Sequence, residues 1–247
     1  MSLNGYLSGG YLITQYVDTT SSISWVKDWW ALQGNLLPAA ILSVGFCASR
    51  FAPLLSWAGA SDQDYADFGV PENQRAELEA WANERFDVDI GYPHIFFQLL
   101  TAREYISRFV QNPQQLQVLG IGVHVDDLVM LLEAEALNPA TTDPSGAHVA
   151  GFAGSGFARA VSRGEPPTQG EVLGFDVIAC RYQIDHAWHC NSLAKDGWEQ
   201  FHFRPNQFGL IDDKTNADKL AAYANEELIE DSIWLPVLVS RHPVQSV

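Results

Sequence analysis

Basic residues are scarce in this chain. Fourteen Lys and Arg stand against 30 Asp and Glu, a formal net charge of −16 over 247 residues. A phosphate backbone or an anionic membrane surface calls for clustered Lys and Arg, so neither nucleic acid nor membrane is expected as the main partner. Cysteine is scarcer still. Cys47, Cys180 and Cys190 are odd in number, unevenly spaced and set among apolar neighbours. That reads as reduced, buried thiols in a cytoplasmic protein and not as a disulfide framework. No basic segment followed by an apolar run opens the chain, so no secretion signal is expected. The longest apolar-rich stretch, 36–60, is interrupted by Pro38, Ser43, Arg50, Pro53 and Ser56, which breaks it as a membrane span. Cofactor motifs are missing too. The glycine-rich run 151–156 lacks G-x-x-x-x-G-K-[ST], and its serine is not in G-x-S-x-G order.

What the chain does hold is packing material. Hydrophobic residues make up 47% and charged residues 18%, with 8 Trp, 8 Tyr and 13 Phe, enough for a sizeable core. The negative charge is unevenly placed. Residues 61–90 carry nine acids against Arg75 and Arg85, close to half of the excess in 30 residues. Such a concentration points to a docking surface more than to a solvated helix face.

Hydrophobic patterning predicts the elements. Tyr11–Val17 reads as an edge strand, and Trp25, Trp29 and Trp30 follow at helical spacing as core. Pro71 opens a helix with Leu78, Trp81, Ala82 and Phe86 on one face. Ile95-Phe96-Phe97 leads into a helix through Phe109. Leu116–Val123 reads as a buried strand, and the helix after it has an apolar stripe of Leu128, Val129, Leu131, Leu132 and Ala136. Residues 138–170 are rich in Pro, Gly, Ser and Thr and read as a flexible loop. The last third runs strand Val172–Cys180, strand Ile184–Cys190, a helix near 192–201, a helix near 215–230, and a closing strand from Ile233. Strands and helices mixed in this order predict an α+β fold, its mostly antiparallel or mixed sheet packed with several amphipathic helices. Residues 1–247 are read as a single domain, with 1–140 and 171–247 as alternative lobes.

Two constellations carry what chemistry is legible. The first is Asp185, His186, His189 and Cys190. Alternation along a strand puts His186 and Cys190 on one face and His189 on the other, which works against joint metal ligation. A hydrolase-like nucleophile, Cys190 beside His186, is the catalytic alternative. The second is His124, Asp126 and Asp127 at a strand-to-helix junction, where first-turn acids suit the helix dipole and are a weak candidate for a cation.

Val118–His124, together with the run from Gly174-Phe175-Asp176 through His189–Leu193 to Asn206–Ile211, resembles a bacterial protein family of uncharacterised function. Its members look like the immunity proteins found beside polymorphic toxins, and the resemblance spans about a third of the chain. It implies a cytoplasmic inhibitor and supplies no active-site residues. The functional expectation is a non-enzymatic binding protein with no cofactor. It would meet a basic, toxin-like protein through Asp62, Asp64, Asp67, Glu72, Glu77 and Glu84.

Overall fold

A strand buried on both faces loses its polar alternation and reads as a continuous apolar run. Ile233–His242 behaves this way in the computed structural model, which describes residues 3–20, 26–33, 36–56, 60–142, 149–190 and 192–244. Trp234 and Leu238 point into one core, while Leu235, Val237 and Val239 point into another on the opposite face. The strands of the described chain are β1 (Tyr6–Thr14), β2 (Val17–Asp18), β3 (Ala40–Ile41), β4 (Ile90–Gly91), β5 (Ile95–Phe96), β6 (Gln117–His124), β7 (Thr141–Thr142), β8 (Val149–Ala150), β9 (Glu171–Cys180), β10 (Ile184–Ala187) and β11 (Ile233–His242).

Seven of them form one sheet in the order β10-β9-β11-β6-β1-β5-β4, each neighbouring pair antiparallel. Pairs β2–β3 and β7–β8 are small separate ribbons. Because β6 sits beside β11, strands from 1–140 and from 171–247 share one sheet. Pro236 is tolerated because β11 pairs with β6 only from Leu238 onward, leaving the proline where β11 has one neighbour.

The helices are α1 (Val26–Leu32), α2 (Asp62–Asp67), α3 (Arg75–Arg85), α4 (Leu99–Phe109), α5 (Leu128–Leu137), α6 (Gly156–Ser162), α7 (Leu193–Phe201) and α8 (Lys214–Glu226). Trp30 of α1, Leu193 and Ala194 of α7, and Ala217, Leu220, Ala221 and Ala224 of α8 cover one face of the sheet. Ala134 of α5 and Phe157, Ala160 and Val161 of α6 cover the other. Tyr65, Leu78, Trp81, Tyr105 and Phe109, from α2, α3 and α4, close the β5–β4 end. The result is α+β, as the element order predicts. Among the described residues no helix is long and apolar enough to cross a membrane.

Several local expectations change. The segment read as an edge strand is interior, since β1 lies between β6 and β5. Its Gly9 is there for close approach: a Cβ would sit 2.7 Å from the Phe157 ring, so glycine lets α6 lie directly on the strand. The stretch 138–170 is correspondingly not an empty loop, because α6 buries Phe157, Ala160 and Val161 within it. The strand expected over Ile184–Cys190 stops at Ala187, and Trp188–Cys190 is a 3₁₀ turn. Trp30 is buried as expected, whereas Trp25 and the Trp29 side chain lie outside the described residues.

Candidate functional site

The arrangement around the His/Cys segment begins with a buried carboxylate. Asp176, in the middle of β9, is 0% exposed. It accepts hydrogen bonds from Ser43 Oγ at 2.8 Å and from the Val44 amide at 2.9 Å. Burial pushes its carboxyl up, and the neighbouring His189 and these donors pull it back only in part. Asp176 thereby pins the loop 42–49, which is tied further by Ser49 Oγ donating to the Ser43 carbonyl at 2.6 Å and the Phe46 amide donating to Ile184 O at 3.3 Å. Gly45 is needed at the contact with β10, because a Cβ there would lie 2.7 Å from the Ala187 nitrogen and 2.8 Å from the His186 carbonyl carbon.

This docking delivers Cys47 to Cys190. The two are joined in a disulfide with Cα atoms 6.6 Å apart at a sequence separation of 143. The expectation of three separate thiols is therefore corrected. Only Cys180 is a free thiol, and burial raises its pKa well above the usual value. The reason lies in tertiary structure: nothing local to Cys47 indicates that a carboxylate on β9 will carry its loop to the far end of the chain.

The two histidines part, as alternation requires, although the strand ends early. His189 is 0% exposed and its Nε2 donates to the Gly209 carbonyl at 2.7 Å. Burial lowers its pKa, with Asp176 acting in the opposite direction. His186 stays half-exposed on the Cys190 side. Its Nδ1 is buried without a hydrogen-bond partner among the described residues. One ligand atom from each of Cys47, His186 and Cys190 lies within 4.8 Å of the others. Asp185 is occupied elsewhere, its Oδ2 accepting from the amides of Arg181, Tyr182 and Gln183 to close the β9–β10 turn. The four residues of the hydrolase reading thus do not act on one point. A sulfur held in a disulfide has no thiolate to attack with, and His189 faces inward.

The acidic segment is largely neutralised by its own chain. Asp62 pairs with Arg75; Arg50 bridges Asp64 at 3.2 Å and Asp67 at 2.5 Å; Arg108 meets Glu77 at 2.7 Å; and Arg85 lies 3.8 Å from Glu84. Glu72 is exposed and in no ion pair among the described residues. Asp64 also completes a capping box with Ser61 at the start of α2. Burial alone would raise its carboxyl, but hydrogen bonds from Ser61 and Arg50 more than offset that and hold it low. Arg50 and Arg108 come from other elements, so this neutralisation is invisible to a count of charges along 61–90.

His124, Asp126 and Asp127 do not converge on a cation site. His124 Nδ1 caps the following turn by accepting from the Asp126 amide at 3.3 Å. Asp127 turns inward to Lys214 at 2.9 Å, and burial raises its carboxyl in spite of that partner. Asp126 stays on the outside.

The helix that follows is the less expected feature. Its inner face buries Ala134 and packs Leu128, Met130 and Leu131 on the core, so the stripe predicted as core is split. Val129 and Leu132 point outward from α5, 55% and 66% exposed, with the exposed Ala136 continuing the row and Val125, 44% exposed, in the 3₁₀ turn just before the helix. Positions 125, 129, 132 and 136 are spaced as one ridge of a helix. Glu133 and Asp126 flank it on one side and Glu135 on the other, all exposed, and α5 contains no basic residue. With apolar residues on both its inner and its outer face, the helix hides such a ridge from periodicity.

A cleft of about 330 Å³ is lined among others by Ser8, Tyr11, Arg103, Glu165 and Thr168. Tyr11 Oη donates to Thr168 Oγ1 at 2.7 Å and accepts from the Thr168 amide. Ser240 Oγ and His242 Nε2 are 3.1 Å apart, but both residues are buried. Their pairing is a core contact that substrate cannot reach. No protein-family model, curated protein or solved structure matches the chain.

Proposed function

We propose that this chain is a non-enzymatic binding protein of the immunity type, acting in the bacterial cytoplasm, that docks a basic protein partner on the outer face of α5. The observation that carries the reading is the exposed ridge Val125, Val129, Leu132 and Ala136 with acids on both flanks. Apolar side chains spaced along one helix face suit an apolar helical counterpart. Acidic flanks on a chain of net charge −16 select a counterpart whose own flanks are Lys or Arg, and they repel a second copy of the same helix. Asp62, Asp64, Asp67, Glu72, Glu77 and Glu84 then serve chiefly as part of the attracting field, since most are already engaged with arginines of the chain. Their reversal is expected to change the association rate and its salt dependence more than the dissociation rate.

Two synthetic helical peptides test this, sharing one apolar stripe and flanked by lysines in one and glutamates in the other. Fluorescence anisotropy should show the lysine peptide binding, with affinity falling as salt rises, and the glutamate peptide failing to bind. Equal binding of both, or of neither, removes the reading.

A further inference from the structure

We propose that Cys47, Cys190 and His186 form a redox-gated binding site for a thiophilic divalent cation of the zinc class, closed when the two sulfurs are joined and open when they are reduced. Three observations carry this. The donors come from two separated segments, yet their ligand atoms lie within 4.8 Å of one another. Two thiolates and one imidazole are a donor set zinc accepts. The Nδ1 of His186 is buried and has no hydrogen-bond partner among the described residues, so no protein group competes for that ring nitrogen. The supporting frame is also rigid: the loop bearing Cys47 is pinned by Asp176 through Ser43 and Val44, and Gly45 sets it against the backbone of His186 and Ala187.

The geometry needs little rearrangement. Two Zn–S bonds of about 2.3 Å at a tetrahedral angle hold the sulfurs roughly 3.8 Å apart. With Cα atoms 6.6 Å apart, rotation of the two cysteine side chains suffices to part them. The opening step consumes a dithiol reductant of the kind that keeps cytoplasmic thiols reduced. That reductant gives two electrons and two protons to the Cys47–Cys190 bond and is itself oxidised to a disulfide, leaving two thiols on this chain. Binding the cation then releases both thiol protons to solvent, while His186 contributes an imidazole lone pair. Cys47, His186 and Cys190 are each partly exposed, so water takes the fourth position.

The test is zinc content and affinity of the full chain, with a phosphine reductant and without it, by mass spectrometry after desalting and by chelator competition. The reduced protein should retain about one zinc per chain and the oxidised protein none. His186→Ala keeps the disulfide, so its fold can be verified in the oxidised state by circular dichroism. Once reduced, it should bind zinc at least about tenfold more weakly than the parent. Cys180→Ala, which removes the buried third thiol, should bind zinc as the parent does. The proposal is overturned if the reduced parent holds no zinc, if the oxidised parent holds as much as the reduced, or if His186→Ala leaves affinity unchanged.

Discussion

Breaking the link between Cys47 and Cys190 should be the most damaging single perturbation of this fold that leaves the core untouched. The disulfide spans 143 residues of sequence. Cross-linking so long a segment removes much of the freedom of the unfolded chain, and loop-closure entropy puts the effect at about 5 kcal/mol at 25 °C. Domains are typically stable by only about 5–15 kcal/mol, so the loss is a large share of the total. For a chain of this length it corresponds to a fall in melting temperature of roughly 10–20 °C. The assay is urea unfolding followed by tryptophan fluorescence, comparing the oxidised protein, the reduced protein and the Cys47→Ala/Cys190→Ala double variant, all with a chelator present. The reduced protein and the double variant should unfold at similar, lower urea concentrations than the oxidised protein. Adding zinc should raise the midpoint of the reduced parent and leave the double variant unchanged. If the oxidised protein and the double variant share one midpoint, the cross-link does not constrain the chain and the reasoning fails.

Other consequences are smaller but as specific. Asp176→Ala leaves Ser43 Oγ and the Val44 amide without their buried acceptor, and should lower stability by roughly 2–4 kcal/mol in chemical denaturation; an unchanged midpoint would show that the carboxylate does not hold the loop. Trp234→Ala, at a fully buried position, should lose about 3–5 kcal/mol, whereas Leu132→Ala on the exposed ridge should change stability by less than about 0.5 kcal/mol. Acid should weaken the fold through its histidines. Burial lowers His94 and His242 to about 4 and lowers His189 as well, against an ordinary value of 6.5. The unfolded chain therefore takes up protons first, so the stabilisation is complete above pH 6.5 and is lost as pH falls toward 4, at up to about 1.4 kcal/mol per pH unit for each histidine. Denaturation midpoints at a series of pH values check this, and His94→Gln should flatten the slope.

How much was legible from sequence depended on whether the signal was local. β9 and β11 could be read as continuous apolar runs, and α7 and α8 because their apolar residues recur with the helical period and are buried where it places them. β1 was misjudged as an edge because Gly9 and Gly10 weaken a strand pattern, and their purpose is an approach by α6 from 150 residues further on. The 138–170 stretch concealed α6 because glycine and serine composition outweighs the short apolar run of Phe157, Ala160 and Val161. The candidate site was half visible. The strand assumed through Cys190 ends at Ala187, and His189 turns inward from a 3₁₀ turn, while the loop of Cys47 is brought to the cluster by its contact with Asp176. The acidic segment was plain as a run of charge, while two of the arginines that neutralise it, Arg50 and Arg108, sit on other elements. The α5 ridge was hidden for the opposite reason, since apolar residues lie on both its inner and its outer face and offer little contrast by which to tell them apart.

The most direct test of the binding account is the affinity of the lysine-flanked helical peptide for the parent protein and for Leu132→Glu, measured at equal ionic strength. Leu132 is 66% exposed, so the variant should fold as the parent does. Placing a charge in the middle of the apolar ridge should weaken the peptide by at least about tenfold. Unchanged affinity in a folded Leu132→Glu protein would contradict docking on α5.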